Sequence, residues 1–234
     1  MGQVDAVVVG AGPNGLAAAI AIAREGFSVT VLEAEDVIGG GTRTEELTVP
    51  GVLHDICSAI HPLGVGSPFL SELPLDEHGL AWAHPEIGVA HPLDDGSAGV
   101  VMHSLDETVR LLGEDGDAWR RSFAWGVERF APLMDDLLRP LLRIPRHPLA
   151  LAPVGLQALL PASVMAKRFR TEAGRALFGG IAAHAILPFE APLTAAFGMM
   201  LTIAGHAAGW PVAVGGSRAI TDAMASYLRS LGGE

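Results

Sequence analysis

The sequence has one cysteine, Cys57, in 234 residues. That excludes a disulfide framework, a CxxC redox pair and a cysteine-based metal site within the chain, and a reducing, cytoplasmic setting is the expectation. Positive charge is also scarce. Fifteen Lys and Arg stand against 26 Asp and Glu, for a formal net charge of −11. Such a balance repels phosphate backbones, so no nucleic-acid partner is expected. The bases that are present gather between Arg139 and Arg146 and again at Lys167, Arg168 and Arg170. They read as solvated faces, with contact to a membrane surface or another subunit as the alternative. The amino-terminal run Met1-Gly-Gln-Val-Asp5 has no basic segment, and position 6 is Ala rather than Ser or Thr. Neither a secretory signal peptide nor a myristoylation site is therefore expected.

Aromatic residues make up only 6% of the chain, so its 50% hydrophobic content is mostly aliphatic. One long apolar stretch stands out, from Ala191 to Val214, where His206 is the sole ionisable side chain. Its length would suffice to cross a bilayer. Pro192, Gly198, Gly205, Gly209 and Pro211 interrupt it, which favours a buried helix lining an apolar pocket over a membrane span. Peripheral membrane contact remains open on composition alone. No internal repeat or low-complexity tract is present, and the length allows one large domain or two small ones.

The first thirty-odd residues have a clear pattern. Val4 to Val9 reads as a strand buried on both faces, being a short β-branched run. Pro13 to Glu25 reads as a helix, with Pro in its first turn, Gly26 past its end, and Leu16, Ala19, Ile20 and Ala23 at helical spacing. Ser28 to Glu33 is a second strand. Further on, Asp94-Asp-Gly96 predicts a turn before a strand at Gly99 to His103, and Ser104 with Glu107 forms a capping box opening a helix to Leu112. Asp117 to Leu142 reads as helical, with Pro132 as a kink or boundary, and Pro145 to Pro161 as a Pro-broken apolar segment. Helices are expected over Thr171–Ala185, Leu193–Ala208 and Ser217–Leu231, with a short strand at Val212–Val214 and a turn at Gly215-Gly216. Gly232-Gly-Glu234 has the composition that leads from a helix into a further strand, so the chain reads as a fragment of a longer pattern.

Gly10-Ala-Gly12-Pro13-Asn14-Gly15 is a GxGxxG placed between that first strand and the helix. Gly10 allows the tight turn, Gly12 lets the backbone approach a pyrophosphate, and Gly15 allows close helix–strand packing. The pyrophosphate would lie at the helix amino terminus, where free N–H groups and the helix dipole favour an anion. Glu33, followed by Ala34, ends the second strand and is placed to accept hydrogen bonds from a ribose. A carboxylate there favours FAD or NAD over NADP, whose 2′-phosphate it would repel. Six residues on, Gly39-Gly40-Gly41-Thr42-Arg43 forms a second flexible loop ending in a cation, which suits a pyrophosphate as well.

The run from Gly10 to Glu46 resembles the amino terminus of the phytoene desaturase and carotenoid isomerase family of FAD-dependent oxidoreductases. It is most similar to the branch of pyridine nucleotide-disulfide oxidoreductase domain-containing protein 2. The segments PGVLHDICSAIHPL (Pro50 to Leu63), AHPLDDG (Ala90 to Gly96) and GHAAGWPVAVGGSRAITDAM (Gly205 to Met224) extend the resemblance over most of the chain. It implies an α/β architecture. A discontinuous Rossmann-like FAD domain would take residues 1–60 and 211–234, with an inserted α+β substrate domain at 61–210. It also implies FAD as cofactor, held by Gly10, Gly12, Pro13, Asn14, Gly15, Glu33, Ala34, Gly40, Gly41 and Arg43, and an apolar substrate that is dehydrogenated or isomerised. The family carries a second FAD motif near its carboxyl end, which this sequence lacks. That leaves a partner-dependent or non-catalytic chain as one alternative, and a nicotinamide-dependent dehydrogenase as another.

No catalytic residue is assigned. His54, His61, His184 and His206 are the side chains suited to proton transfer. No paired carboxylates, Ser/His/Asp order or metal-ligand spacing appears, and flavin enzymes often leave the redox step to the cofactor.

Overall fold

The computed structural model describes residues 4–140 and 143–234. In chain order its elements are β1 (Ala6–Val9), α1 (Pro13–Arg24), β2 (Val29–Leu32), β3 (Thr44–Glu46), β4 (Leu53–Asp55), α2 (Pro62–Val65), β5 (Trp82–Ala83), β6 (Ile87–Pro92) and β7 (Ala98–Met102). There follow α3 (Leu105–Leu111), α4 (Gly116–Glu128), α5 (Phe130–Leu137), α6 (Pro148–Ala158), α7 (Ala162–Ala166), α8 (Glu172–Ala182), α9 (Thr194–Ala208), β8 (Val212–Ala213) and α10 (Arg218–Ser230). The chain divides into two compact units. The first comprises the chain up to His61, Phe69–Ala83 and Pro211–Glu234, and the second comprises Pro62–Pro68 and His84–Trp210.

In the first unit β1 and β2 pair in parallel, Ala6 with Val29 through Val9 with Leu32, and α1 makes the crossover. Leu16, Ala19, Ile20 and Ala23 are the buried face of α1, as their spacing predicts. They pack with Val29 and with Ile220, Ala223, Met224 and Leu228 of α10. On the free edge of β2, Glu234 donates its N–H to Val29 and accepts from Val31. The β1 strand is not buried on both faces. Ala6 and Val8 turn toward the core, but Val7 is exposed and Val9 is 82% exposed. Helices of this unit cover one side only, so a fully apolar strand keeps an apolar outer face.

Residues 69–83 group with this unit, whereas the sequence places them within a segment 61–210. Leu73, Leu75 and Leu80 enter the core beside α10, and Trp82 and Ala83 pair antiparallel with Ala213 and Val212. That hydrophobic burial outweighs continuity along the chain.

The second unit is mostly helical. Its core holds Trp119, Phe123, Phe169 and Phe178, all at most 1% exposed, with Trp119 and Phe123 edge-to-face at 4.6 Å between centroids. The Asp94-Asp-Gly96 turn closes the β6–β7 hairpin, where Leu93 donates to the Ser97 carbonyl and Gly96 takes φ 83°. Ser104 caps α3 by accepting from the Glu107 N–H. The expected break near Pro132 falls at Arg129, between α4 and α5, because a proline inside a helix clashes with the carbonyl four residues before it. Leu141 and Leu142, at the end of that expected helix, lie outside the described residues.

Asp115 fastens α4 to the start of α8. Its carboxylate accepts from the N–H groups of Arg170 and Thr171 at 2.7 and 2.9 Å and from the Thr171 hydroxyl at 2.5 Å. Burial alone would raise its pKa, but these donors outweigh it and hold the carboxyl below its ordinary range. The segment Pro145 to Pro161 departs from expectation: it contains an 11-residue helix, α6, with Pro153 inside it. Pro148 stands in the first turn, where its missing N–H costs nothing, and Pro153 lies on the exposed side.

Candidate functional site

The sequence-predicted residues of the first unit gather at the carboxyl end of β1. Gly10 takes φ 100° and donates its N–H to the Leu32 carbonyl at 2.7 Å, joining the ends of β1 and β2. A Cβ on Gly15 would lie 1.9 Å from the Gly10 carbonyl oxygen, so only glycine fits there. Gly12 is different. Its φ of −77° suits any residue, and an added Cβ would meet nothing closer than the Gly40 Cα at 3.8 Å. Neither conformation nor packing requires glycine at position 12, which leaves the backbone bare toward the space in front of α1.

Pro13 is the first residue of α1, and Asn14 follows it, exposed at the helix start. No carboxylate occupies that first turn. The second loop comes to the same place, since the Gly39 N–H donates to the Ala11 carbonyl at 3.0 Å. Gly39 and Gly40 both have positive φ, 122° and 52°, and Gly40 and Gly41 are exposed. Thr42 anchors this loop by donating its hydroxyl to the Gly39 carbonyl at 2.8 Å and meeting Thr221 of α10 at 3.4 Å.

Glu33 stands just past β2. One carboxylate oxygen accepts from the Ala11 N–H at 2.7 Å, and the other accepts from Ala34 and Glu35. The Ala11 bond, then that of Glu35, holds its pKa below the ordinary value against desolvation, with Ala34 and the Arg43 charge adding to the lowering. The group is ionised at neutral pH and keeps acceptor capacity for hydroxyl groups. Arg43 is half-buried, and its Nε is buried with no hydrogen-bond partner. A cleft of about 100 Å³ beside these residues is lined by Ala11, Val31, Glu33 and Ile38, and by Leu228 and Arg229 of α10. The contribution of α10 has no motif of its own, because those residues read in sequence only as one face of an amphipathic helix.

The four candidate histidines are dispersed rather than gathered. His54 bonds Thr48 at 2.8 Å on the surface. His61 meets the Ser217 hydroxyl at 2.7 Å, and Ser217 in turn donates to the Ser58 carbonyl at 2.6 Å. Burial lowers the His61 pKa, and nearby Asp55 only partly opposes this. This trio ties the stretch after β4 to the start of α10, and the Ser217 hydroxyl, spent on a carbonyl, is no nucleophile. His184 bonds the Ile181 carbonyl at 3.0 Å. His206, on α9, accepts from the Trp119 Nε1–H at 3.0 Å, and its Nδ1 faces the His103 carbonyl. That pattern selects the neutral Nδ1–H tautomer, and burial pushes the pKa down to about 4. All four are structural in these surroundings. Among the described residues no group of three or more His, Cys, Asp or Glu is arranged to hold a metal ion.

The second unit contains a separate apolar cavity of about 280 Å³ between α5, α6 and α9, lined by side chains such as Leu133, Leu137, Val154, Phe197, Met200 and Ile203. The helix α9 is the buried, cavity-lining helix expected from Ala191 to Val214. No helix among the described residues is long and apolar enough to cross a membrane.

Residues 8–73 match the family described as NAD(P)-binding Rossmann-like domain. This part of the chain has the Rossmann-like fold, with the strand–helix–strand unit and the glycine turn in their expected places. The chain is also similar to hydroxyneurosporene desaturase of Cereibacter sphaeroides, 31% identical over 204 residues that cover 80% of this chain and 40% of the relative. It is similar to pyridine nucleotide-disulfide oxidoreductase domain-containing protein 2 of Mus musculus, 41% identical over 78 residues, 33% of this chain and 13% of the relative. Among solved structures, putrescine oxidase bound to putrescine shares the fold, with a TM-score of 0.54 at 24% identity over 98% of this chain and 49% of the oxidase chain. The chain thus spans less than half the length of each of these relatives, which are oxidoreductases by name.

Proposed function

We propose that the chain is the amino-terminal, dinucleotide-binding part of an FAD-dependent oxidoreductase of the phytoene desaturase type, acting on an apolar substrate. The observation that carries this reading is Gly12. The fold makes no demand for glycine there, yet the position faces the amino terminus of α1 and lies against a second glycine loop. A phosphate pressed against the backbone would make that demand. Gly12, the start of α1 and Arg43 would hold the pyrophosphate, the unpartnered Arg43 Nε then finding an acceptor. Glu33 would take the adenosine ribose. Bound FAD supplies the two-electron acceptor for dehydrogenation, or the redox-active ring for an isomerisation.

On this reading the first unit is the cofactor domain and the second the substrate domain, with the cavity between α5, α6 and α9 suited to a hydrocarbon. A nicotinamide-dependent dehydrogenase is disfavoured because β2 is followed by the Gly39–Arg43 loop and an antiparallel β3–β4 pair, not by further βα repeats. The test is a titration of the protein with FAD, NAD and NADP, paired with the Gly12→Ala variant. Saturable FAD binding that Gly12→Ala weakens by about 2 kcal/mol or more, at unchanged melting temperature, is the expected result. Binding of NAD without affinity for FAD would sink the proposal.

A further inference from the structure

The second glycine loop has little of its own to hold it. Gly39 and Gly40 take positive φ, and three successive glycines bring no side chain to bury. Its front is fixed to the first loop through the Gly39 N–H, and its back is held by residues 56–58. The Gly41 carbonyl accepts twice from Ser58, from the N–H at 3.0 Å and from the hydroxyl at 2.8 Å. The Arg43 carbonyl accepts from the Ile56 N–H at 3.0 Å. The placement of the Gly41–Arg43 backbone therefore follows that of Ser58.

Ser58 is placed in turn by Ser217. Its carbonyl accepts from the Ser217 hydroxyl at 2.6 Å, and Ser217 is fully buried at the start of α10. A serine in that position ordinarily turns its hydroxyl onto the first N–H groups of the helix. Here it makes no such cap, and the hydroxyl is diverted to Ser58. The Ser217 N–H goes to Asp55 at 2.8 Å, and the same carboxylate oxygen accepts from the Thr44 hydroxyl at 2.6 Å. A hydroxyl has one proton, and that of Ser217 is spent. The 2.7 Å contact between Ser217 Oγ and His61 Nε2 must then run from imidazole to hydroxyl, which makes His61 the Nε2–H tautomer. The ring is aimed by its surroundings. The His61 backbone N–H donates to the Pro211 carbonyl at 3.0 Å, and the imidazole lies against Trp82 at 5.9 Å between centroids. In the other tautomer the ring would take the Ser217 proton, and the Ser58 carbonyl would lose this donor.

We propose that His61 is a positioning residue for the dinucleotide, acting through Ser217 and Ser58 on the Gly41–Arg43 loop. By donating to Ser217 it fixes the direction of that hydroxyl, and the series of hydrogen bonds ends on the loop carbonyl. Bonds in series polarise one another, so loss of the first donor weakens those that follow. His61 touches no ligand on this reading. Its effect is on where the loop backbone and Arg43 meet the pyrophosphate. The inference rests on the reading of the first unit as an FAD-binding domain.

Two measurements on the full chain test it. In nitrogen NMR of the histidine rings at neutral pH, the His61 signal, identified by its loss in His61→Gln, should be that of the Nε2–H tautomer. In FAD titrations, His61→Phe keeps a ring against Trp82 but has no donor, and should weaken binding about tenfold. Ser217→Ala should do the same, and the double variant should lose no more than either alone. His61→Gln has an amide N–H to replace Nε2–H and should bind within about threefold of the parent. Ser104→Ala destabilises the second unit and should leave FAD affinity unchanged, which separates positioning from general loss of stability. No FAD binding by the parent would overturn the cofactor reading and this proposal with it. With binding by the parent, four results would each overturn this proposal alone: an Nδ1–H tautomer, unchanged affinity in His61→Phe, additive losses in the double variant, or no recovery in His61→Gln.

Discussion

The corner at Gly10–Gly15 and the cavity between α5, α6 and α9 are built on opposite principles. In the first unit the backbone forms the corner and the side chains withdraw. Glycine turns, free N–H groups and one carboxylate define it, and each has a residue type that chemistry dictates. In the second unit the cavity is an absence bounded by interchangeable aliphatic groups. Leu, Met, Val and Ile at helical spacing serve a packed core or a cavity wall equally well. A site drawn with backbone leaves a spacing in the sequence, while one drawn with empty volume does not.

Substitutions can break or sharpen this contrast. The largest effect is expected at Gly15, where Gly15→Val drives a side chain into the Gly10 carbonyl. A loss of at least about 3 kcal/mol in denaturant unfolding is expected, and a near-neutral variant would mean that the β1–α1 turn is not as tight as described. In the second unit, Asp115→Ala leaves two N–H donors and a hydroxyl unpaired and should cost about 3 kcal/mol. Because the folded-state pKa of Asp115 is depressed, its contribution is complete at neutral pH and fades as pH falls below the ordinary carboxylate range. Asp115→Asn should flatten that acid limb.

His206 should act at milder acidity. Its folded pKa of about 4 lies below the ordinary imidazole value, so the unfolded chain takes up the proton first. Stability should therefore fall by up to about 3 kcal/mol as pH drops from 6.5 toward 4, and His206→Phe should be flat in that window. Retention of the slope in His206→Phe would assign it to other groups. Ser104→Ala removes one helix cap and should cost about 1 kcal/mol by thermal melting. The smallest effect on stability belongs to Gly12→Ala, expected within about 0.5 kcal/mol of the parent. It sharpens the comparison most, because the same methyl group should weaken FAD binding by about 2 kcal/mol or more.

Much of the first unit was legible in the sequence because its elements obey local rules. Pro13 opens α1, Gly26 follows it, and Gly10 and Gly15 meet backbone where no Cβ fits. The one-sided burial of β1 is not legible because Val7 and Val9 look like Val8, and sequence alone does not say how many layers cover a strand. Residues 69–83 fall within the 61–210 segment in sequence but group with the first unit in the fold, and Leu73, Leu75 and Leu80 carry no mark of the core they join. In α6, Pro153 hid an otherwise continuous helix. The histidines drew attention by chemistry, but only their partners, such as Trp119 for His206, show that they are spent on structure.

The first unit is assembled from three stretches of chain, and Thr221 meets Thr42 from 179 residues away. Residues at the start therefore leave the ribosome long before the helix they pack against exists. Until residues 211–234 emerge, Leu16 and Ile20 of α1 have no α10 to cover them, whereas His84–Trp210 is already continuous and can close its aromatic core. Synthesis thus imposes an order in which the middle of the sequence can become compact before its beginning, and the glycine-rich corner waits for residues 211–234 as exposed, protease-accessible chain.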